Sequence, residues 1–327
     1  MDDYSSSDLI QLITGYQRSR ILLSAVELNI FDELEGCELT AEELAEKIEA
    51  VPGALEKLLN VLTSLNLLRK NNEKFSNVES CSKFLVKSSP SFLGSVMHQN
   101  HLWNTWSKLS SIIKFKDAKK EGEINQRGSE WLRAFIAAMH ARGINRAIAI
   151  KKLINFSGVK RILDIGGGSG IFASTFIKDN LNMSAVVFDL PNVVPITKEY
   201  IDKENMSGRI STLTGNYLRD DIGSGYDLIF MSAVIHSNSF DENALLIKKC
   251  ASALNKNGKI AVLDYIMNED RTSPAAGAIF AINMLVGTAE GTTYTENEVT
   301  KWMTSAGINN IELINAGEGN GLMVGGF

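Results

Sequence analysis

The chain has 327 residues, 44% hydrophobic and 22% charged, with 33 Lys and Arg against 38 Asp and Glu. That is enough chain for two domains, and the composition is that of a globular protein, which excludes disordered, collagen-like and low-complexity chains. The net charge of −5 argues against nucleic acid as the main partner. No apolar run reaches the ~18 residues of a membrane span, so no membrane is expected. The acidic start Met1-Asp2-Asp3-Tyr4-Ser5 is unlike a signal peptide. Three scattered cysteines, Cys37, Cys81 and Cys250, form neither a disulfide framework nor a zinc pattern, and a reducing cytoplasm is the expected location.

Residues 1–95 read as a mainly helical domain. Ile21, Leu22, Ala25, Val26 and Leu28 make a helical apolar stripe. Thr40-Ala-Glu-Glu43 is a capping box. Pro52 suits the first turn of the next helix, whose face is Leu55, Leu58, Leu59 and Leu62. After Leu67-Leu68, the polar turn Arg69–Asn72 and Lys74-Phe75-Ser76 read as a short hairpin. Helices followed by a hairpin make a winged-helix arrangement. Residues 1–87 nevertheless carry nine Lys and Arg against fifteen Asp and Glu, and Lys57 stands beside Glu56. Phosphate neutralisation needs several cations, so packing or dimerisation is the expected role, with a DNA-binding regulator as the rival.

Residues 96–327 read as linking helices and an α/β domain. His98, His101, Trp103 and Trp106 are read as packing residues. The run Lys116–Glu123 is a charged surface loop. The four histidines lack metal-ligand spacing, and no metal is expected. A long helix near 129–154 places Leu132, Phe135, Ile136 and Met139 on one face. From residue 160, strand-like runs alternate with helical ones: Arg161–Ile165, Ser184–Asp189, Arg209–Thr214, Asp227–Ser232 and Lys259–Tyr265. That alternation means βαβ units and a mostly parallel, Rossmann-like sheet. Asn310–Asn315 and Gly321–Phe327 read as a terminal hairpin.

The first of these strands runs into Asp164-Ile-Gly-Gly-Gly-Ser-Gly170, then a helix over 171–178. Glycine allows the tight turn and a close ligand approach. The next strand ends in Asp189, an acid able to accept both hydroxyls of a ribose. The dinucleotide fingerprint needs glycine at position 171, which is Ile. An acid before the loop is a poor neighbour for pyrophosphate and a good one for a ligand with ammonium and sulfonium charges, so S-adenosylmethionine is favoured over NAD. His236 follows the strand Asp227–Ser232, at the sheet edge where ligand crevices lie. Imidazole titrates near neutrality and suits a general base.

Asp164–Gly170, Phe188-Asp189-Leu190-Pro191, Gly215-Asn216-Tyr217, Ile235-His236 and Asn257-Gly258-Lys259 resemble the motifs of class I methyltransferases. Together with Thr40–Leu68 and Ala138-Met139, they more narrowly resemble small-molecule O-methyltransferases of the caffeate and acetylserotonin type. The resemblance implies a winged-helix dimerisation domain, a Rossmann-like catalytic domain, a homodimer and S-adenosylmethionine. Gly166, Gly167, Gly168 and Gly170 are then expected at its methionine part, and Asp189 and Leu190 at its ribose. Asn216 replaces the usual adenine-contacting Asp, with Tyr217 beside it. Ser232 stands where plant members often carry Lys. His236 is the implied base and Asp264, 28 residues on, its orienting acid. A third family acid is absent from Thr293-Tyr294-Thr295, with Glu290 nearby, and Asn238 replaces a family Trp. Met139, His140, Phe280, Asn283 and Met284 are the implied acceptor contacts. The implied reaction is methyl transfer to a hydroxyl of a small aromatic or polyketide-like molecule; carbon, nitrogen or sulfur acceptors are the alternative.

Overall fold

A computed structural model describes residues 3–115 and 128–327, with the backbone alone at Ser95, His101 and Glu130. The charged run 116–123 lies outside the described residues. The chain divides into two units, Met1–Trp103 and Asn104–Phe327.

The first unit starts with α1 (Ser6–Glu27) and α2 (Ile30–Glu33), followed by α3 (Ala41–Lys47) and α4 (Pro52–Ser64). The Thr40 hydroxyl accepts from Glu43 N at 3.2 Å and the Glu43 carboxylate accepts from Thr40 N at 2.8 Å, so two orphan donors of α3 are satisfied. Pro52 opens α4, which buries Leu55, Leu59 and Leu62. The hairpin is β1 (Leu68–Asn71) and β2 (Lys74–Asn77). Its turn residues Asn72 and Glu73 have φ of 45° and 64°, the left-handed pair that matches strand twist. α5 (Glu79–Leu85) follows, and the division between units falls within α6 (Ser95–Trp106). Phe31, Leu44, Leu59, Leu62 and Phe75 form the core. Leu28, counted in the apolar stripe, is exposed just past the end of α1. The first half of α1 also leaves Leu9, Ile10, Leu12, Ile13 and Tyr16 exposed.

The second unit continues with α7 (Leu109–Lys114) and α8 (Ser129–Lys151). Next come β3 (Arg161–Ile165), α9 (Ile171–Ile177), β4 (Ser184–Asp189), α10 (Val194–Lys203), β5 (Ile210–Thr214) and β6 (Tyr226–Ser232). A 3-10 turn (Ile235–Ser237), α11 (Phe240–Ala253), β7 (Leu254–Asp264) and β8 (Ile266–Met267) follow. The chain ends with α12 (Ala275–Gly287), β9 (Tyr294–Thr295), α13 (Glu296–Ser305), β10 (Asn309–Gly317) and β11 (Asn320–Gly326). The main sheet has the order β10-β11-β7-β6-β3-β4-β5. β3 to β7 pair in parallel and the terminal hairpin pairs antiparallel.

Apart from Asp164, the buried stretches of the central strands β3 and β6 are apolar because both their faces are covered. Leu163, Ile229, Met231, Ile260 and Val262 meet Leu246, Ile247 and Cys250 of α11 and Trp302 of α13. Ile162, Leu228, Phe230, Ala261 and Leu263 meet Ala147 and Ile150 of α8 and Phe172 and Phe176 of α9. The Phe230 ring lies 5.0 Å from both Phe172 and Phe176. Phe230→Ala should therefore cost about 3–5 kcal/mol, read from urea unfolding. A loss within the error of the extrapolation would contradict this account of the core.

Two boundaries differ from expectation by more than two residues. β7 starts at Leu254 rather than Lys259: Leu254 already pairs with Tyr226, and the exposed polar residues 255–257, with Asn257 at φ 67°, bulge out before the register resumes at Lys259 opposite Leu228. The long helix stops at Lys151 rather than near 154.

Candidate active site

The chain order β3-β4-β5 runs to one side of β3, and β6-β7 runs to the other. The loops after β3 and β6 therefore part at a topological switch point, where open α/β sheets hold ligands.

The loop after β3 is held from several sides. Gly166, Gly168 and Gly170 have φ of 63°, 57° and 73°, a region open to glycine with no steric cost. A Cβ on Gly167 would stand 2.8 Å from both Asp164 Cγ and Val187 Cγ1. Gly166 N donates to Phe188 O at 2.8 Å, and Thr197 Oγ1 donates to Gly168 O at 2.6 Å. Asp164 lies against Gly167 on the inner side of the loop. Its Oδ2 accepts from Ala173 N at 3.3 Å, while its buried Oδ1 has no partner. Burial pushes its pKa up to about 7. Asp189 ends β4: Oδ2 accepts from Gly168 N at 2.8 Å and Oδ1 from Leu190 N at 2.7 Å. Burial raises it to about 6. Each oxygen keeps lone pairs for further donors. A glycine cradle, an orphaned buried carboxylate oxygen and a second acid able to take two hydroxyls fit a ribose-bearing ligand with positive charge. The residues thus fit the group that the motif resemblance implies.

After β5, Gly215 leaves no room for a side chain, its Cβ position being 2.9 Å from Phe188 Cζ. The Asn216 carbonyl already accepts from Leu218 N at 2.9 Å, so one lone pair and the amide N–H₂ remain for an adenine. The Tyr217 hydroxyl donates to Asn238 Oδ1 at 3.0 Å.

After β6, half-buried Ser232 leads into Ala233, whose φ of 58° is a strained value for a residue with a Cβ. The chain then enters the 3-10 turn that carries His236. Ser232 is paired with Leu263 of β7, so Asp264, one residue on, lies beside the turn. His236 is 9% exposed and Asp264 3%. The His236 Nδ1 is 2.8 Å from Asp264 Oδ1 and 3.0 Å from Oδ2. Asp264 also accepts from Tyr265 N at 2.8 Å. The Phe280 ring meets the imidazole edge-on at 4.7 Å and 81°, and Tyr265 lies against Phe280 at 4.7 Å.

Along α12, Asn283 lies one turn beyond Phe280, and Met284 is buried. Trp106 Nε1 donates to the Asn283 carbonyl at 3.0 Å. Ile279, beside Phe280 in α12, is 62% exposed. His140, expected with the acceptor contacts, meets the glycine loop: Nδ1 is 3.0 Å from Ser169 Oγ and the ring lies 4.4 Å from Tyr200. Burial lowers its pKa. Met139 is half-buried beside it in α8. Glu290 is exposed; its neighbour Gly291 packs on the His236 carbonyl, where a Cβ would come within 2.5 Å. Thr197 and Asn243 escaped the sequence reading, and Trp106 and Asn238 were read there without their partners, since a polar group's type gives no hint of what it bonds. Among the described residues, no three acids, histidines or cysteines form a metal-binding group, and no helix is long and apolar enough to cross a membrane.

Residues 108–309 match the family model of the O-methyltransferase domain, and residues 10–87 that of the O-methyltransferase dimerisation domain. The chain is 27% identical to the 3-hydroxy-5-methyl-1-naphthoate 3-O-methyltransferase of Streptomyces sahachiroi, over 94% of this chain and 90% of that one. It is 25% identical to the N,N-dimethyltransferase OxyT of Streptomyces rimosus, over 84% of this chain and 82% of that one. In fold it matches the structure of PigF with SAH, at TM-score 0.89 and 20% identity, over 99% of this chain and 100% of that one.

Proposed function

This chain belongs to the O-methyltransferase family, and from that premise we propose that it moves a methyl group from S-adenosylmethionine to a hydroxyl of a small aromatic or polyketide-like molecule. The observation that carries the reading is the Asp264-locked imidazole of His236 on the same sheet edge as the glycine loop. S-adenosylmethionine supplies an activated methyl on a sulfonium. The chain does the rest. Gly166–Gly170 and Asp189 hold the cofactor, and Asn216 and Tyr217 line its adenine end. His236 Nε2 takes the acceptor's hydroxyl proton, and Asp264 fixes the ring. Phe280, Asn283 and Met284 face the acceptor, while His140 steadies the glycine loop through Ser169. The naphthoate relative supports an aromatic acceptor.

The test is a labelled-methyl screen of hydroxynaphthoates and hydroxyanthraquinones, with aromatic amines as comparators. Transfer to oxygen that collapses in His236→Gln is the expected result. OxyT among the relatives supports a second reading, methyl transfer to nitrogen. An amine already offers its lone pair, so transfer to amines that survives His236→Gln would favour that reading.

We also infer a homodimer. The dimerisation match covers 10–87, and the apolar residues left exposed on the first half of α1 lie largely within it. Sedimentation should give twice the 35.8 kDa chain mass, and Ile13→Asp should yield monomer. A wild-type monomer at micromolar concentration would overturn the inference.

A further inference from the structure

The turn that carries His236 is weakly held by its own backbone. It has three residues, it follows the strained Ala233, and its closing bonds, Ser237 N to Val234 O and Asn238 N to Ile235 O, are 3.1 and 3.3 Å long. A chain of buried side chains supports it instead. The Tyr217 hydroxyl donates to Asn238 Oδ1 at 3.0 Å. Asn238 Nδ2 donates to Asn243 Oδ1 at 3.0 Å, and Asn243 Nδ2 donates to Ile235 O at 2.8 Å. The Tyr294 hydroxyl adds a bond to Asn238 O at 2.6 Å.

The direction of this chain is fixed. Ile235 O can only accept, so Asn243 must turn its amide nitrogen toward it. Its oxygen then faces Asn238, which must answer with its own nitrogen. The Asn238 oxygen is left for Tyr217, which must donate. Asn243 is fully buried and Asn238 4% exposed. A lost link therefore strands a buried polar group. Asn238 is also the position where the family resemblance leads one to expect a Trp.

We propose that Asn238 is a positioning residue for His236: its amide carries a one-way hydrogen-bond chain from Tyr217, beside the adenine-side loop, to the carbonyl of Ile235, and so keeps Nδ1 of His236 on Asp264. The proposal rests on the reading of His236 as the base. Its effect is on where the imidazole proton sits. With Nδ1–H held by the carboxylate, the lone pair is confined to Nε2.

The test reads that proton directly. With four histidines in the chain, ¹⁵N-edited imidazole spectra of the S-adenosylhomocysteine-loaded protein resolve His236. Wild type should show the Nδ1–H tautomer alone, with slow proton exchange. Asn238→Asp keeps the size and the acceptor for Tyr217 but cannot donate to Asn243. It should give mixed tautomers and exchange on the order of tenfold faster or more, with S-adenosylhomocysteine affinity unchanged. Tyr294→Phe, which deletes one hydroxyl, probes the same turn should Asn238→Asp not fold, and should shift the spectrum in the same sense. Wild-type spectra in the variants overturn the positioning role alone. Absence of the Nδ1–H tautomer in the wild type overturns the reading of His236 beneath it.

Discussion

His236→Gln lowers kcat for methyl transfer to a hydroxyl by about 100- to 10,000-fold, the range that positioned proton transfer contributes, and leaves S-adenosylhomocysteine affinity unchanged. The reason is the pairing with Asp264. A carboxylate accepts and does not donate, so the nitrogen 2.8 Å from Oδ1 must be Nδ1–H, and Nε2 carries the free lone pair. Glutamine matches the reach of the ring but has no basic nitrogen. Asp264→Asn should approach the same loss by a different route. Its amide can donate to Nδ1, which then favours the tautomer with the proton on Nε2 and no lone pair where one is needed. Single-turnover rates with a hydroxynaphthoate, and cofactor binding measured separately, check both variants. A glutamine variant with wild-type turnover would falsify the base role.

The strands were legible because double burial writes them as near-continuous apolar runs, and Ile162–Ile165 (broken only by Asp164), Leu228–Met231 and Ile260–Leu263 are fully buried. The glycine loop was legible because only glycine suits its three left-handed positions, and His236 because it follows a strand on the ligand edge. What stayed hidden depends on partners distant in sequence. Asn216 reads as free to receive an adenine, yet its carbonyl serves Leu218 N. His140 reads as an acceptor contact, and its bond to Ser169 is invisible in the sequence. Asn238 reads as the loss of a Trp, yet it carries the chain that holds the turn of His236. In each case the side chain's hydrogen-bond partner, which spacing does not encode, decides its role.

S-adenosylhomocysteine affinity rises about tenfold per pH unit as pH climbs toward 6 and levels off only above about 7, where Asp164 has also ionised, and Asp189→Ala removes the part of this dependence that ends near 6. In the free protein, burial holds Asp189 at about 6, above its ordinary 3.8. The sign for folding follows: the folded state binds the extra proton, so this group's contribution to stability is present below pH 3.8 and is lost as pH rises through 6. The sign for ligand is opposite. Only the ionised carboxylate accepts from two ribose hydroxyls while still holding Gly168 N and Leu190 N. Those donors favour the charged form and pull the pKa down. Binding near pH 6 therefore releases a proton, visible as a heat that varies with the ionisation enthalpy of the buffer. At pH 8, Asp189→Ala loses two charge-assisted bonds worth about 1.5–3 kcal/mol each, so affinity falls at least about 100-fold. It also leaves the Gly168 N–H without its acceptor. Isothermal titrations from pH 5 to 8 read all three effects. A Kd flat across that range in the wild type would mean that Asp189 does not meet the ribose, and the cofactor would have to be sought elsewhere on the sheet edge.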